Sequence, residues 1–347
     1  MKKTIRIGVI GLGIGGGHAD QFRKLPDCTV AALADLNPER LAATGDKLGI
    51  AARFTDPLAM LDQVALDAVV VATPNKFHAP LTIAALKRGL HVFCEKPMAM
   101  NLAEARAMKA AADKARRKLM IDFSYRFLPM SVALKKQVEA GVVGPIYFGR
   151  TVWHRQRGMP GFGGWFGNKE LAGGGPLIDL GVHRIDLALW LMGHPEPVSV
   201  SGSAYNVIAR RIAEAQNKHY SVEDLACGLV KFANGATLIV ESSWALNIDE
   251  PEQMITSLYG EKGGITQKNV GGGYQFQAEL LTEEHGCLFA KTLKTNTVAV
   301  PSAQQEFLAC IRENRPPSAS AADGIRVQKI LDGLYASAAK GREIRFT

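Results

Sequence analysis

The chain has 347 residues, 47% of them hydrophobic and 21% charged, with 41 basic against 33 acidic side chains. That length exceeds one ordinary core and suits two domains, and the composition excludes collagen-like, disulfide-scaffold and disordered classes. The net charge of +8 comes from modest clusters such as Lys114 to Lys118 and Lys135-Lys136, with no basic run interleaved with aromatics, so no nucleic-acid partner is expected.

The apolar run Ile7 to Ile14 passes straight into glycines without a small-residue cleavage site, so it reads as a first strand rather than a signal peptide. No apolar stretch approaches the ~20 residues of a membrane helix, and a cytoplasmic chain without a membrane partner is expected. From there strands and helices alternate: strand Ile5 to Ile10, helix Gly16 to Leu25, strand Thr29 to Ala34, and a helix from Pro38. Strand Ala68 to Ala72, helix His78 to Arg88 closed by Gly89, and strand His91 to Cys94 follow. Asn101 and Glu104 form a capping box for a helix to about Arg117, and strand Met120 to Phe123 comes next. This alternation predicts a doubly wound parallel sheet over residues 1–123.

Beyond Tyr125 the pattern becomes one of long alternating strands, Ile146 to Trp153, Val198 to Tyr205, Leu225 to Phe232 and Thr237 to Trp244, the last two joined by Asn234-Gly235. An α/β domain with a large open, mostly antiparallel sheet is predicted for 124–347, with a C-terminal helical stretch from Gln304 to Ala339 interrupted at Arg315-Pro316-Pro317. Five widely spaced cysteines without Cys-x-x-Cys point to reduced thiols, and Cys94 reads as a core thiol at a strand end. No His-Glu-x-x-His or Gly-x-Ser-x-Gly occurs, so neither a metal nor a serine nucleophile is expected.

Gly11-Leu12-Gly13-Ile14-Gly15-Gly16 is a G-x-G-x-x-G between a strand and a helix. Gly11 permits the tight turn, Gly13 lets the backbone approach a pyrophosphate, and Gly16 is assigned close helix-strand packing. Asp35 ends the second strand where an acid bonds the adenosine ribose. Its charge favours NAD, while Arg40 nearby keeps NADP open. Thr73-Pro74-Asn75 leave the buried strand at its carboxyl end, as a dinucleotide contact or a simple turn.

Glu95-Lys96-Pro97 leave the next strand at the same edge. Lys96 is either a surface lysine paired with Glu95 or a cation that orients a substrate hydroxyl and stabilises its developing charge. Gly173-Gly174-Gly175-Pro176 lead into a helix, Leu177 to Met192, that is apolar nearly all round and so built for burial. Asp179, His183 and Asp186 share one face of it at i, i+4 and i+7. Burying such groups is costly unless they are paired or face a polar site, and an Asp-His pair suits general-base work on an alcohol; a structural network is the alternative, Asp186 above all. His154, Arg157 and Trp165, in a polar and aromatic stretch before this helix, suit a carbohydrate pocket or an ordinary packed loop.

Together these features resemble the Gfo/Idh/MocA oxidoreductases over nearly the whole chain: Gly11 to His18, Asp35, Ala72 to His78, Glu95-Lys96-Pro97, Tyr125-Arg126-Phe127, Gly173 to Asp186, and the tail from Phe307 to Phe346. The resemblance implies a Rossmann domain followed by an α/β domain whose open sheet forms a subunit interface, in a homodimer or homotetramer. It implies that Lys96, Asp179 and His183 form the catalytic set, with His183 as acid/base and the other two positioning the hydroxyl and sharing the proton. The cofactor set it implies is Gly11, Leu12, Gly13, Ile14, Gly16, Asp35, Leu36, Thr73, Pro74, Asn75, His78, Glu95, Lys96 and Arg126, and the substrate set adds His154, Arg157 and Trp165 to the catalytic three. The activity implied is an NAD(P)-dependent hydride transfer at a secondary hydroxyl of a sugar or polyol. The alternatives are glycoside cleavage through transient oxidation and a non-enzymatic sensor of NAD or sugar.

Overall fold

The structure, a computed structural model, describes residues 4–295 and 298–346. The chain forms two compact units, Met1–Asp122 with Pro301–Ile325, and Phe123–Val300 with Arg326–Thr347.

In the first unit, β1 (Ile5–Ile10), α1 (Gly15–Arg23), β2 (Cys28–Ala34), α2 (Pro38–Leu48), β3 (Arg53–Phe54), α3 (Pro57–Gln63), β4 (Ala68–Val71), α4 (His78–Lys87), β5 (His91–Cys94), α5 (Leu102–Ala115) and β6 (Leu119–Ile121) alternate along the chain. The six strands pair in parallel in the order β3-β2-β1-β4-β5-β6. That is the strand order of a dinucleotide-binding sheet, with its switch point between β1 and β4. All four residues of β4 are buried, as an inner strand covered on both faces requires. Local chemistry sets the helix ends. Asn37 Oδ1 accepts from Arg40 N ahead of Pro38, Asp56 caps α3, and Asn101 Oδ1 accepts from Glu104 N. The Glu104 carboxylate reaches back to Met100 N, one residue beyond the expected partner.

The second unit contains α6 (Pro129–Glu139), β7 (Ile146–Arg155), α7 (Lys169–Ala172), a π-helical turn (Leu177–Gly181) running into α8 (Val182–Leu191), β8 (Pro197–Tyr205), α9 (Ile208–Ala215), β9 (Leu225–Phe232), β10 (Thr237–Ser243), β11 (Glu252–Gly260), β12 (Gly263–Asn269), β13 (Phe276–Glu284) and β14 (Cys287–Thr292). After these come α10 (Ala303–Arg312), α11 (Ala321–Lys340) and β15 (Ile344–Arg345). Nine strands form one sheet, ordered β14-β13-β12-β11-β7-β10-β9-β8-β15 and antiparallel throughout except for β7 beside β10. The Asn234-Gly235 turn closes the β9–β10 hairpin, with Gly235 at φ +84° and Asn234 Oδ1 accepting from Ala236 N.

The expected extent of the second domain, 124–347, is corrected by α10. Its Phe307 packs edge-on against Phe22 and Phe93, and Ile121 N donates to Ala319 O, so residues 301–325 join the first core. Strands β11 to β14 fall in a stretch to which the sequence reading assigned none. Among the described residues, no helix is long and apolar enough to cross a membrane.

Candidate active site

In the first unit, the turn after β1 is built around Gly11, which sits at φ +84° with Ala72 O only 2.5 Å from where a Cβ would lie. Any side chain there would collide with the backbone after β4. Gly13 meets nothing within 4 Å, so its backbone faces open space. The packing role assigned to Gly16 belongs to Gly15: a Cβ on Gly15 would lie 3.1 Å from Ala72 Cβ and 3.2 Å from Val9 Cγ1, whereas Gly16 has only Thr44 Cγ2 at 3.7 Å. The helix simply starts at Gly15. Its N-terminus has no side-chain cap and no acid in its first turn. Unsatisfied N–H groups and the positive end of the dipole therefore make an anion site there.

Asp35 frames the other end of this cradle. Its Oδ2 accepts from Leu12 N at 2.7 Å and its Oδ1 from Asn37 N at 2.8 Å, with Arg40 Nη1 3.5 Å from Oδ2. Ile14 and Leu36 are exposed on either side. Thr73 Oγ1 is buried without a hydrogen-bond partner among the described residues. An open helix N-terminus, a held carboxylate and an orphaned hydroxyl at the carboxyl ends of β1, β2 and β4 fit a dinucleotide.

Two residues expected at the cofactor have close partners within the protein. His78 is fully buried; its Nδ1 lies 2.7 Å from Pro97 O and its Nε2 2.9 Å from Thr73 O, so it straps the two loops together. Burial pushes its pKa down against those two carbonyls. Glu95 is likewise withdrawn from solvent: Oε1 lies 2.6 Å from His18 Nε2, and Oε2 accepts from the backbone N–H of Lys96. Lys96 itself is half-buried. Asp122 Oδ2 lies 3.6 Å from His18 Nε2, and Gln304 Nε2 is 3.0 Å from His18 Nδ1. Burial, then the Glu95 charge, push the Asp122 carboxyl up to about 7. Burial opposes charging His18, but the Glu95 hydrogen bond and the two carboxylates outweigh it and raise its pKa. Burial likewise works against the Glu95 carboxylate, yet His18 and Lys96 hold it below its ordinary value.

In the second unit, the helix begun by the π-helical turn is buried from Leu177 to Leu189 except at two positions, Asp179 and His183, which are half-buried. A π-helical turn is a costly local departure that recurs at functional sites. Its entry is fixed by the buried Glu223, whose Oε2 accepts from Gly175 N and whose Oε1 accepts from Leu177 N and the Tyr335 hydroxyl. Asp179 Oδ2 accepts from the Trp244 indole N–H at 3.1 Å. The His183 ring lies against Tyr125 (5.1 Å) and Trp153 (5.6 Å between centroids). Behind that wall Arg184 is completely buried, 4.3 Å from the Tyr125 ring, with Trp153 and Phe276 each at 5.3 Å. Its charge is held by aromatic faces, an arrangement worth more once desolvated.

Three further residues have defined partners. Arg126, expected at the cofactor, makes a buried fork with Asp186, Nε to Oδ2 at 2.8 Å and Nη2 to Oδ1 at 2.5 Å. His154 follows Trp153 on β7, and successive strand residues point to opposite faces. Trp153 touches His183, so His154 lies on the other side of the sheet, 3.4 Å from Glu241 Oε2. His154 and Arg150 hold the Glu241 carboxyl down to about 2. Trp165 stays with the site through a chain of rings, stacking on Phe166 at 3.8 Å, with Phe166 against Trp244. Arg157 is exposed, and its guanidinium is spent on Leu246 O and Asn247 Oδ1 just beyond Trp244. Trp244 and Tyr125 were not anticipated. Nothing in the sequence singles out Trp244 except that it ends a strand.

Residues 5–123 match the family pattern described as "Oxidoreductase family, NAD-binding Rossmann fold", and residues 131–266 match the GFO/IDH/MocA C-terminal domain. The chain is 35% identical to the D-glucoside 3-dehydrogenase of Escherichia coli (strain K12), over 99% of this chain and 98% of that one. Among solved structures it is similar to the aldose-aldose oxidoreductase of Caulobacter crescentus complexed with glycerol (28% identity, TM-score 0.82, covering 99% of this chain and 100% of the other). It is also similar to a levoglucosan dehydrogenase in complex with NADH and levoglucosan (25% identity, TM-score 0.87, covering 98% and 99%).

Proposed function

The chain belongs to the GFO/IDH/MocA oxidoreductase family, and we propose that it is an NAD-dependent dehydrogenase acting on a secondary hydroxyl of a sugar or polyol, with a D-glucoside or a related pyranose as its substrate. The observation that carries the reading is the pair of half-buried polar groups, Asp179 and His183, on a helix otherwise buried from Leu177 to Leu189. A helix meant only for packing would not leave a carboxylate and an imidazole one turn apart as the only open positions over its first thirteen residues.

In this reading His183 takes the hydroxyl proton, since an imidazole is the side chain best matched to that task near neutrality. Asp179, held by Trp244, orients the hydroxyl and shares the proton. Lys96 supplies a cation for the negative charge that builds on the oxygen. Tyr125 and Trp153 fix the imidazole plane, and Trp165 adds an aromatic face of the kind that sugar rings stack on. NAD, when bound, would supply the hydride acceptor. Gly13, the open start of α1 and Asp35 would hold it. Five free cysteines, two of them buried, suit a reducing cytoplasm.

The test is a screen of NADH appearance with methyl D-glucosides, inositols, levoglucosan and free aldoses. Turnover that releases NADH from at least one of them is expected. Cofactor reduction with none, or bond cleavage without free NADH, would sink the dehydrogenase reading.

The sheet face that carries His154 also carries Leu225, Leu229 and Ile239 around a cavity of about 910 Å³, and beyond it Phe148 stacks on the exposed Tyr259. An open face of this kind is a liability for a monomer, and we propose that it packs on a second copy. Sedimentation at micromolar protein should give a dimer or tetramer of the 37.4 kDa chain; a stable monomer would contradict this.

A further inference from the structure

Four segments distant in sequence converge behind Lys96: His18 of α1, Glu95 at the end of β5, Asp122 at the end of β6 and Gln304 of α10. Each is at least nine-tenths buried. The two oxygens of one carboxylate divide the work: Glu95 Oε1 meets His18 Nε2 at 2.6 Å, and Oε2 accepts the backbone N–H of Lys96 at 3.1 Å. The carboxylate therefore cannot move without moving Lys96. Among the described residues this is the only His/Cys/Asp/Glu group compact enough to hold a metal ion. Atoms sharing a metal at about 2.0–2.2 Å in a tetrahedral shell would stand more than 3 Å apart. The 2.6 Å separation fits a hydrogen between nitrogen and oxygen, and not an ion.

We infer that His18, Glu95 and Asp122 form a proton-holding support for Lys96, in which His18 is a positioning residue acting through the Glu95 carboxylate. The inference rests on the reading that Lys96 acts on the substrate hydroxyl. The charged groups facing one another here are His18, Glu95, Asp122, Lys96 and the strap residue His78, with the neutral Gln304 amide closing the far side. Within the buried trio itself, two carboxylates against one imidazolium leave a net negative charge, which a low-dielectric interior disfavours and which the half-buried Lys96 ammonium offsets from outside the trio. One further proton, on Asp122, makes the trio neutral. Asp122 Oδ1 is buried without a hydrogen-bond partner among the described residues, in keeping with a carboxyl that does not spend its life as a carboxylate. Gln304 accommodates either state of the ring: its Nε2 donates to a neutral His18, and its amide turned over presents oxygen to an imidazolium.

A double-mutant cycle tests this in the full chain, using the methyl D-glucoside that turns over fastest in the screen and calorimetric NAD binding as a readout independent of turnover. His18→Leu should lower kcat by about tenfold or more, the scale of a displaced charge-stabilising group, with NAD affinity changed less than about threefold. His18→Gln, which keeps a donor toward Glu95, should recover at least about a third of the wild-type kcat. In a Lys96→Ala background, His18→Leu should cost less than about twofold, because its effect passes through Lys96. Full additivity in that background, or wild-type kcat in His18→Leu, overturns the inference. Were Lys96→Ala itself to keep normal kcat, the reading of Lys96 would fall first, and the inference with it. If His18→Leu does not fold, His18→Ala, which also removes the partner of Glu95, goes through the same cycle and the same additivity criterion decides.

Discussion

The indole N–H of Trp244, at the end of β10, donates to Asp179 Oδ2 at 3.1 Å, fixing the carboxylate one turn before His183 on the only open stripe of a buried helix. Hydrogen bonds to charged groups are worth about 1.5–3 kcal/mol. Trp244→Phe, which keeps an aromatic ring but no donor, should therefore lower kcat/KM by about tenfold while leaving NAD affinity in place. A variant with wild-type kcat/KM would mean that Asp179 needs no such anchor.

His183→Ala and Lys96→Ala should each lower kcat by roughly 10²-fold or more, the scale of acid–base and charge-stabilising groups. NAD affinity should change little in His183→Ala. Lys96→Ala can weaken it modestly, because the Lys96 backbone belongs to the same loop as Glu95 and Pro97. Near-normal kcat in His183→Ala on a verified substrate would make the helix pair structural.

Cofactor choice hangs on Asp35. Its carboxylate accepts from Leu12 N and Asn37 N, with Arg40 Nη1 3.5 Å away, and in the proposed reading it meets the ribose at the 2′-position. Wild-type protein should bind NAD more tightly than NADP. Asp35→Ser should shift that preference toward NADP by about 10²-fold, since like-charge repulsion is exchanged for an unopposed Arg40. Adding Arg40→Ala should undo most of the gain. Titration of both cofactors against the three proteins decides the matter, and an unchanged NAD preference in Asp35→Ser would refute it.

The buried cluster also predicts a pH dependence of stability. Asp122 is raised from 3.8 to about 7 and His18 is raised above 6.5. The folded chain therefore keeps protons that the unfolded chain gives up, and these two groups make stability fall as pH rises from about 4 through 7 and beyond. Glu95 is lowered, so its contribution is complete above about 4.5 and is lost only as pH falls further. His78 and His91, whose pKa values burial depresses, act in the opposite sense below 6.5, so the difference between variant and wild type is what isolates the cluster. Asp122→Asn, a permanent mimic of the protonated acid, should melt higher than wild type at pH 8, by a smaller margin at pH 5, and no higher once the pH is below about 3.8. Equal melting temperatures at pH 8 would mean that Asp122 ionises in the fold without cost.

What the sequence by itself determined was whatever depends on local pattern. Apolar strands such as Ala68–Val71 between helices specify a parallel sheet covered on both faces, and Gly11 with Asp35 at the ends of the first two strands specify a nucleotide cradle. A carboxylate and an imidazole at i and i+4 on an apolar helix were equally legible, because burial of unpartnered polar groups is expensive wherever the helix lies. The tertiary structure decided which way side chains face and who partners whom. His154 and Trp153 are adjacent, yet one turns from the site and the other walls it, because a strand alternates and only the packed helix says which face is inner. Only the fold shows that Arg126 pairs with Asp186 and that His78 bridges Thr73 O and Pro97 O. The Trp244–Asp179 bond and the His18–Glu95–Asp122–Gln304 cluster join residues 65 to 286 positions apart. Such pairings carry no local signature; they exist because the folded sheet brings strand ends and helices together.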